Sequence, residues 1–169
     1  MSIFGKHLII LFLITAITVS FPVAVHSEIG KTVKDFKNSY FYKKFGLKLE
    51  ENIPAIFNAD TKAYFFKNDT LRYSVKTITD DQGRIVGHSL SFDRTDNREQ
   101  ATKDVIAILV FILEAIGNKA SNEELISRVK NMLREATNNK NLVSSKSLNG
   151  FSIEIRFQPK HAKWEVLVK

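Results

Sequence analysis

Residues 105–113 read VIAILVFIL, nine apolar residues in succession. A capping pair precedes this run and a glycine follows it, which predicts a helix over 97–116. A helix that is apolar all round is buried on all sides. The apolar stretch 105–116 contains Glu114 and falls short of the roughly 20 residues that cross a membrane. We therefore expect a core helix.

A second helix and two strands are predicted to follow this core helix. A helix over 121–137 opens with a capping box at Ser121 and has apolar residues at helical spacing along one face. The polar segment 138–150 predicts a loop. Apolar and polar residues then alternate over 151–157 and 164–168, which indicates two strands joined by a turn.

Three strands in a meander are predicted before the core helix, over 61–67, 71–79 and 84–93. Turn-forming residues separate them. Alternation in the third strand indicates a sheet with one covered face and one face in water. The residues expected on its apolar face are Val86, His88, Leu90 and Phe92.

The first predicted helix covers 31–45. A capping arrangement of Thr32 with Asp35 opens it, and Gly46 is placed to end it in a left-handed conformation. The predicted order is α-β-β-β-α-α-β-β. This order gives an α+β fold with one antiparallel sheet of about five strands and helices packed on one face. Because no repeat or linker divides them, residues 28–169 are predicted to form a single domain.

Residues 1–27 have the three-part layout of a secretory signal peptide. A short basic region is followed by the apolar run 8–19, and Pro22 then interrupts the helix. A small-residue site predicts cleavage after Ser27, and hence a protein of the bacterial periplasm or cell exterior. The alternative is an uncleaved membrane anchor, because the stretch 8–25 counts about 18 mostly apolar residues, the lower limit for a span.

Charge and cysteine content limit the functions that the chain can have. It contains no cysteine, which excludes thiol catalysis, disulfide exchange and cysteine-based zinc sites. The predicted mature part has a net charge of +6, because one of the 25 basic residues and none of the 18 acidic residues lies in the signal. This charge favours an anionic lipid, a wall polymer or an acidic protein as partner, and no nucleic acid is expected. The alternative is a solvated basic surface without a partner.

The sequence carries no motif for catalysis, metal binding or cofactor binding, so no such residues and no cofactor are predicted. His88 is expected in the core and His161 in a solvated turn. An enzyme of the cell envelope is the alternative. It would need a cleft that brings one of these histidines near a carboxylate such as Asp93 or Glu114.

The most unusual composition lies in residues 31–48, where six lysines stand against the single acid Asp35, with five aromatic residues between them. A basic, aromatic, amphipathic helix can lie on an anionic membrane with its apolar face down. The alternative is that the aromatic residues dock on the domain and the lysines only face water. The candidate contact residues are Lys34, Lys37, Tyr40, Tyr42, Lys43 and Lys44.

We therefore expect a small, non-enzymatic binding protein of the periplasm or cell exterior. Its partner is expected to be an unknown protein or an anionic component of the cell envelope. Two alternatives remain, the envelope enzyme and a peripheral membrane protein that docks through residues 31–48.

Overall fold

An antiparallel sheet with helices on one face carries the fold, so the predicted α+β class is confirmed. This computed structural model describes residues 29–54, 61–70, 72–117, 122–138 and 142–169. The strands are β1 (Leu47–Pro54), β2 (Lys62–Asn68), β3 (Tyr73–Thr79), β4 (Ile85–Asp93), β5 (Val143–Leu148), β6 (Phe151–Gln158) and β7 (Lys163–Val168). The α-helices within the described residues are α1 (Val33–Asn38), α2 (Tyr40–Lys44), α3 (Arg98–Ile116) and α4 (Asn122–Asn138).

The sheet consists of two meanders that meet at β4 and β7, in the order β1-β2-β3-β4-β7-β6-β5. β1 to β4 pair in sequence order, and α3 and α4 then carry the chain to the far edge. From there β5, β6 and β7 lead back to the middle of the sheet. β7 pairs with β4 from His88↔Val168 to Asp93↔Lys163, so the final hairpin joins neither edge.

The sheet has seven strands where about five were predicted, because β1 and β5 pair at its two edges. β1 reads LKLEENIP and β5 reads VSSKSL, and neither has a run of alternating apolar residues. An edge strand has only one pairing partner, and polar or charged side chains suit its exposed position. The segment 138–150, predicted as a loop, therefore contains a strand whose backbone partners come from β6.

The helix predicted over 31–45 is in fact two short helices, because the chain turns at Ser39. Ser39 has an extended backbone (φ −65°, ψ 158°), and its Oγ accepts a hydrogen bond from the backbone N–H of Tyr42 at 3.1 Å. It ends α1 and caps α2 at the same time. The predicted capping box at Thr32 and the positive φ of Gly46 (61°) are both confirmed.

The core helix that the apolar run predicted is α3. Residues 107–116 are each at most 4% exposed. Oδ1 of Asn97 accepts a hydrogen bond from the backbone N–H of Gln100 at 3.0 Å, and Gly117, with a φ of 72°, ends the helix. α3 packs against β4 and β7, and α4 packs against β5 and β6. The capping residue predicted for α4, Ser121, lies outside the described residues.

The register between β3 and β4 shifts by one residue at Val86, which is the extra residue of a β-bulge. Val86 is 45% exposed, whereas its neighbour Ile85 is fully buried. Because the alternation of faces is interrupted at a bulge, the prediction that Val86 shares the apolar face of β4 is wrong. The other residues predicted on that face are buried, namely His88, Leu90 and Phe92.

The structure describes only the part of the chain that follows the predicted signal. The export signal predicted for residues 1–27, and with it the alternative of an uncleaved anchor, lies outside the described residues. Among the helices that the structure does describe, none combines the length and the apolar character that a membrane crossing requires.

Candidate functional site

The aromatic residues of the basic segment pack into the domain. Phe36 is fully buried, and the centroid of its ring lies 5.1 Å from those of Phe66 and His88. Phe41 is also fully buried, with its ring centroid 5.3 Å from that of Phe111 on α3. The apolar sides of α1 and α2 therefore belong to the core, and the folded domain cannot lay them face down on a membrane.

Glu114 attaches α2 to the core helix. Its Oε1 accepts a hydrogen bond from the backbone N–H of Tyr40 at 2.8 Å, and its Oε2 accepts one from Phe41 at 2.6 Å. The first N–H groups of a helix have no partner within that helix, so a carboxylate at this end satisfies them and interacts favourably with the helix dipole. Burial raises the pKa of Glu114, and the two backbone N–H groups act in the opposite direction.

Replacing Glu114 by Leu is expected to lower the free energy of unfolding by about 2 kcal/mol, because it leaves the N–H groups of Tyr40 and Phe41 without an acceptor. Urea denaturation at neutral pH measures this loss. Amide hydrogen exchange should become faster at the same two residues. The matched control is Glu99→Leu on the exposed part of α3, which should change stability little. Unchanged exchange at Tyr40 and Phe41 in the Glu114 variant would contradict the proposed attachment.

The lysines of α1 and α2 point away from this core. Lys34, Lys43 and Lys44 are exposed, and Lys37 is half-buried. Within the described part of the chain, none of these four forms an ion pair with an acidic side chain. Lys48, at the start of β1, differs because it has a carboxylate partner at 2.7 Å. The four helical lysines therefore present positive charge that the described acidic residues do not neutralise directly.

Of the two tyrosines predicted as contact residues, only Tyr40 faces the solvent. It is 42% exposed, and Lys43 lies one helical turn further along α2. Tyr42 is half-buried, with its ring centroid 5.5 Å from that of Phe36, so it belongs to the packed side. We define the basic helical surface as the lysines of α1 and α2 together with Tyr40. Its members are Lys34, Tyr40, Lys43 and Lys44, which are exposed, and Lys37, which is half-buried.

Most of the net charge of the chain beyond the predicted signal is concentrated around this surface. Residues 31–48 hold six lysines and one aspartate, which accounts for five of the six net positive charges of residues 28–169. The rest of the domain is nearly balanced. Five of its arginines form ion pairs with carboxylates, and these are Arg72, Arg84, Arg94, Arg128 and Arg156. Residues 31–48 therefore carry most of the net positive charge, and such a concentration of charge attracts anions.

The two histidines differ in their surroundings, as predicted. His88 is buried, with Nδ1 3.0 Å from the hydroxyl oxygen of Thr77, and burial lowers the pKa of His88 to about 3. His161 is exposed in the short turn before β7. Of the carboxylates that a catalytic cleft could have used, Glu114 accepts hydrogen bonds from the backbone of α2, and Asp93 is exposed at the end of β4.

A buried polar cluster around Asp104 was not predicted from the sequence. Oδ1 of Asp104 accepts hydrogen bonds from the hydroxyl of Tyr73 and from Nε2 of Gln100, both at 2.9 Å. Arg72 donates to both carboxylate oxygens. Burial and the neighbouring Asp104 raise the pKa of Tyr73. The only sequence signal was the spacing of Gln100 and Asp104 by one helical turn, and it gives no indication of the partners at the start of β3.

This cluster joins the start of β3 to α3, and its hydrogen bonds occupy both oxygens of the carboxylate. Within the described residues, no three His, Cys, Asp or Glu side chains form a group that could hold a metal ion.

No family of known proteins, no curated protein and no solved structure matches the chain. Of the residues that the sequence predicted as candidate contacts, Lys34, Tyr40, Lys43 and Lys44 are exposed in the structure.

Proposed function

We propose that the chain is an exported, non-enzymatic binding protein that contacts an anionic component of the cell envelope through the basic helical surface. One observation carries this proposal, namely that four lysines that form no ion pair with a described carboxylate belong to two helices anchored to the core. Like charges one helical turn apart, such as Lys34 and Lys37, destabilise a helix slightly. A bound anion would relieve this repulsion.

The way in which the core holds the two helices supports a binding role. Phe36 and Phe41 fix the inner sides of α1 and α2, and Glu114 fixes the beginning of α2. The backbone that carries the lysines is therefore in place before any partner arrives. Binding through a preorganised surface loses less conformational entropy than binding through a segment that must fold first.

The predicted export signal supports the choice of an envelope partner. On the exported side of a membrane, anionic lipid headgroups, wall polymers and acidic protein surfaces are all available to a basic surface. Lysine suits such partners, because its ammonium group is a compact charge that attracts anions without requiring one fixed geometry.

Binding to a soluble polyanion tests the proposal. Fluorescently labelled polyglutamate is titrated with the wild-type chain and with a variant in which Lys34, Lys37, Lys43 and Lys44 are all replaced by Gln. We expect the variant to bind at least about tenfold more weakly, because it lacks the charges that attract the polymer. Added salt should weaken wild-type binding in the same way, since exposed charges are screened.

The matched control removes four exposed lysines elsewhere, by replacing Lys62, Lys76, Lys160 and Lys169 with Gln. Both quadruple variants have the same net charge, so only the position of the lost charges differs. We expect the control to keep affinity within about threefold of the wild type. An equal loss in both variants would show that net charge alone attracts the polymer, and the proposal would then be wrong.

A further inference from the structure

Resting on the proposed function, we propose that the anionic component is a phospholipid bilayer, and that the basic helical surface contacts its headgroups without inserting an apolar face. The bilayer is the one that an exported chain faces after translocation. The inference depends on three features of the surface, which are its type of charge, its lack of apolar residues and the place of its one exposed aromatic residue.

The charged residues of the surface are all lysines, and residues 31–48 contain no arginine. Arginine recognises one carboxylate or phosphate through a planar pair of hydrogen bonds, whereas lysine acts as a point charge. Lysines spread over two helices therefore suit many equivalent anions on a surface better than one anion in a pocket. Phosphate headgroups in a bilayer provide such a field of charges.

The apolar residues of α1 and α2 are not available for insertion into the lipid. Phe36 and Phe41 are fully buried in the domain, so a membrane-bound state that inserted them would have to break up the core. This distinguishes the chain from a surface-active amphipathic helix, which buries its apolar face among the acyl chains. Attraction between charges is then the main source of affinity, and it must be sensitive to salt.

Tyr40 is the large aromatic residue that the two helices do expose. Tyrosine is enriched at the level of the headgroups, where its ring is partly apolar and its hydroxyl meets water. Protein interfaces, in contrast, usually have a core of several apolar or aromatic residues surrounded by a polar rim. One tyrosine among four lysines therefore fits a headgroup layer better than an acidic protein.

Co-sedimentation with lipid vesicles tests this inference. The chain is expressed in full, with its own signal, and purified in the form that the cells produce. Vesicles of phosphatidylglycerol mixed with phosphatidylcholine are compared with vesicles of phosphatidylcholine alone, at low and at high salt. We expect binding only to the anionic vesicles at low salt, and release from them at high salt.

Two sets of variants locate the contact. Replacing Lys34, Lys37, Lys43 and Lys44 by Gln should weaken binding to the anionic vesicles by about thirtyfold or more, whereas the control at Lys62, Lys76, Lys160 and Lys169 should stay within about threefold of the wild type. Tyr40→Ser should weaken binding by roughly three- to tenfold while keeping its dependence on salt. Circular dichroism confirms that each variant is folded.

The outcomes separate this inference from the function on which it rests. Binding to polyglutamate without binding to anionic vesicles would overturn the lipid proposal and leave the proposed function in place. Failure to bind either would overturn both. Binding that persists at high salt, or that both quadruple variants lose equally, would overturn the headgroup contact.

Discussion

Asp104→Ala is expected to lower the free energy of unfolding by about 3–5 kcal/mol, one of the two largest effects predicted for this chain. Asp104 is 5% exposed, and its carboxylate binds Arg72, Tyr73 and Gln100. Without it, the guanidinium of Arg72 remains in a mostly buried position with no carboxylate to compensate its charge. Urea denaturation at neutral pH, followed by circular dichroism, measures the loss.

Two further variants show whether the loss of stability comes from the Asp104 carboxylate itself. Asp104→Asn keeps the shape and one acceptor oxygen, so its loss should be smaller than that of the alanine variant. Asp96→Ala removes a highly exposed carboxylate that lies 3.6 Å from Arg94, and it should leave stability nearly unchanged. If Asp104→Ala loses less than about 1 kcal/mol, the cluster is open to water in solution and its predicted contribution to stability is wrong.

Acidification from neutral pH to a pH of about 4.5 is expected to destabilise the domain by about 2–3 kcal/mol through His88 alone. Burial lowers the pKa of His88 from 6.5 to about 3 in the folded domain. Between these two values the unfolded chain binds a proton that the folded domain does not. The stability due to the neutral imidazole is therefore fully present above pH 6.5, and it falls by about 1.4 kcal/mol for each pH unit below that value.

The variant His88→Asn tests this origin of the pH dependence. Asparagine keeps a polar atom near the hydroxyl of Thr77 but does not titrate. The variant should be less stable at neutral pH because it fills less space, and the difference from the wild type should shrink as the pH falls. The carboxylates that titrate in the same range are common to both proteins and cancel in this comparison. Parallel curves of stability against pH would show that His88 is accessible to protons in the folded domain.

The sequence was sufficient to predict a helix or a strand where that element buries a regular pattern of apolar residues. The nine-residue run of α3 predicted a core helix, alternation predicted β4, β6 and β7, and turn-forming residues marked the ends of β2 and β3. The strands β1 and β5 were missed for the opposite reason. Their residues are those of exposed edges, and what makes them strands is a backbone partner that lies elsewhere in the chain.

Single-residue departures from periodicity were not predictable in the same way. The chain turns at Ser39 because its hydroxyl caps α2, yet a serine within an amphipathic segment is equally compatible with a continuous helix. At Val86 the alternation looked unbroken in the sequence, and only the pairing with β3 reveals the bulge. The turn at Ser39 and the bulge at Val86 depend on hydrogen bonds, and the periodicity of the sequence contains no information about these bonds.

The residues of the candidate site were predictable from the sequence, but the direction in which the aromatic side chains of residues 31–48 point was not. The density of lysines in residues 31–48 predicted Lys34, Lys37, Lys43 and Lys44 as contact residues. Three of these side chains are exposed, and Lys37 is half-buried. The aromatic residues could face either way on sequence grounds. The packing of Phe36 and Phe41 decides the matter, and it requires contacts with Phe66 and Phe111, which are distant in the chain.

The two meanders of the sheet meet where β4 pairs with β7, and this seam has a consequence for the kinetics of folding. Each meander pairs strands that are close in sequence, but the pairing of His88 with Val168 closes a loop that includes both long helices. Contacts of such high sequence separation form slowly, so the formation of this seam should be the rate-limiting step of folding.

Until the seam forms, β4 and β7 are both unprotected edges with apolar side chains. Two copies of the chain can then exchange these strands, which makes domain-swapped dimers the expected by-product of refolding at high concentration.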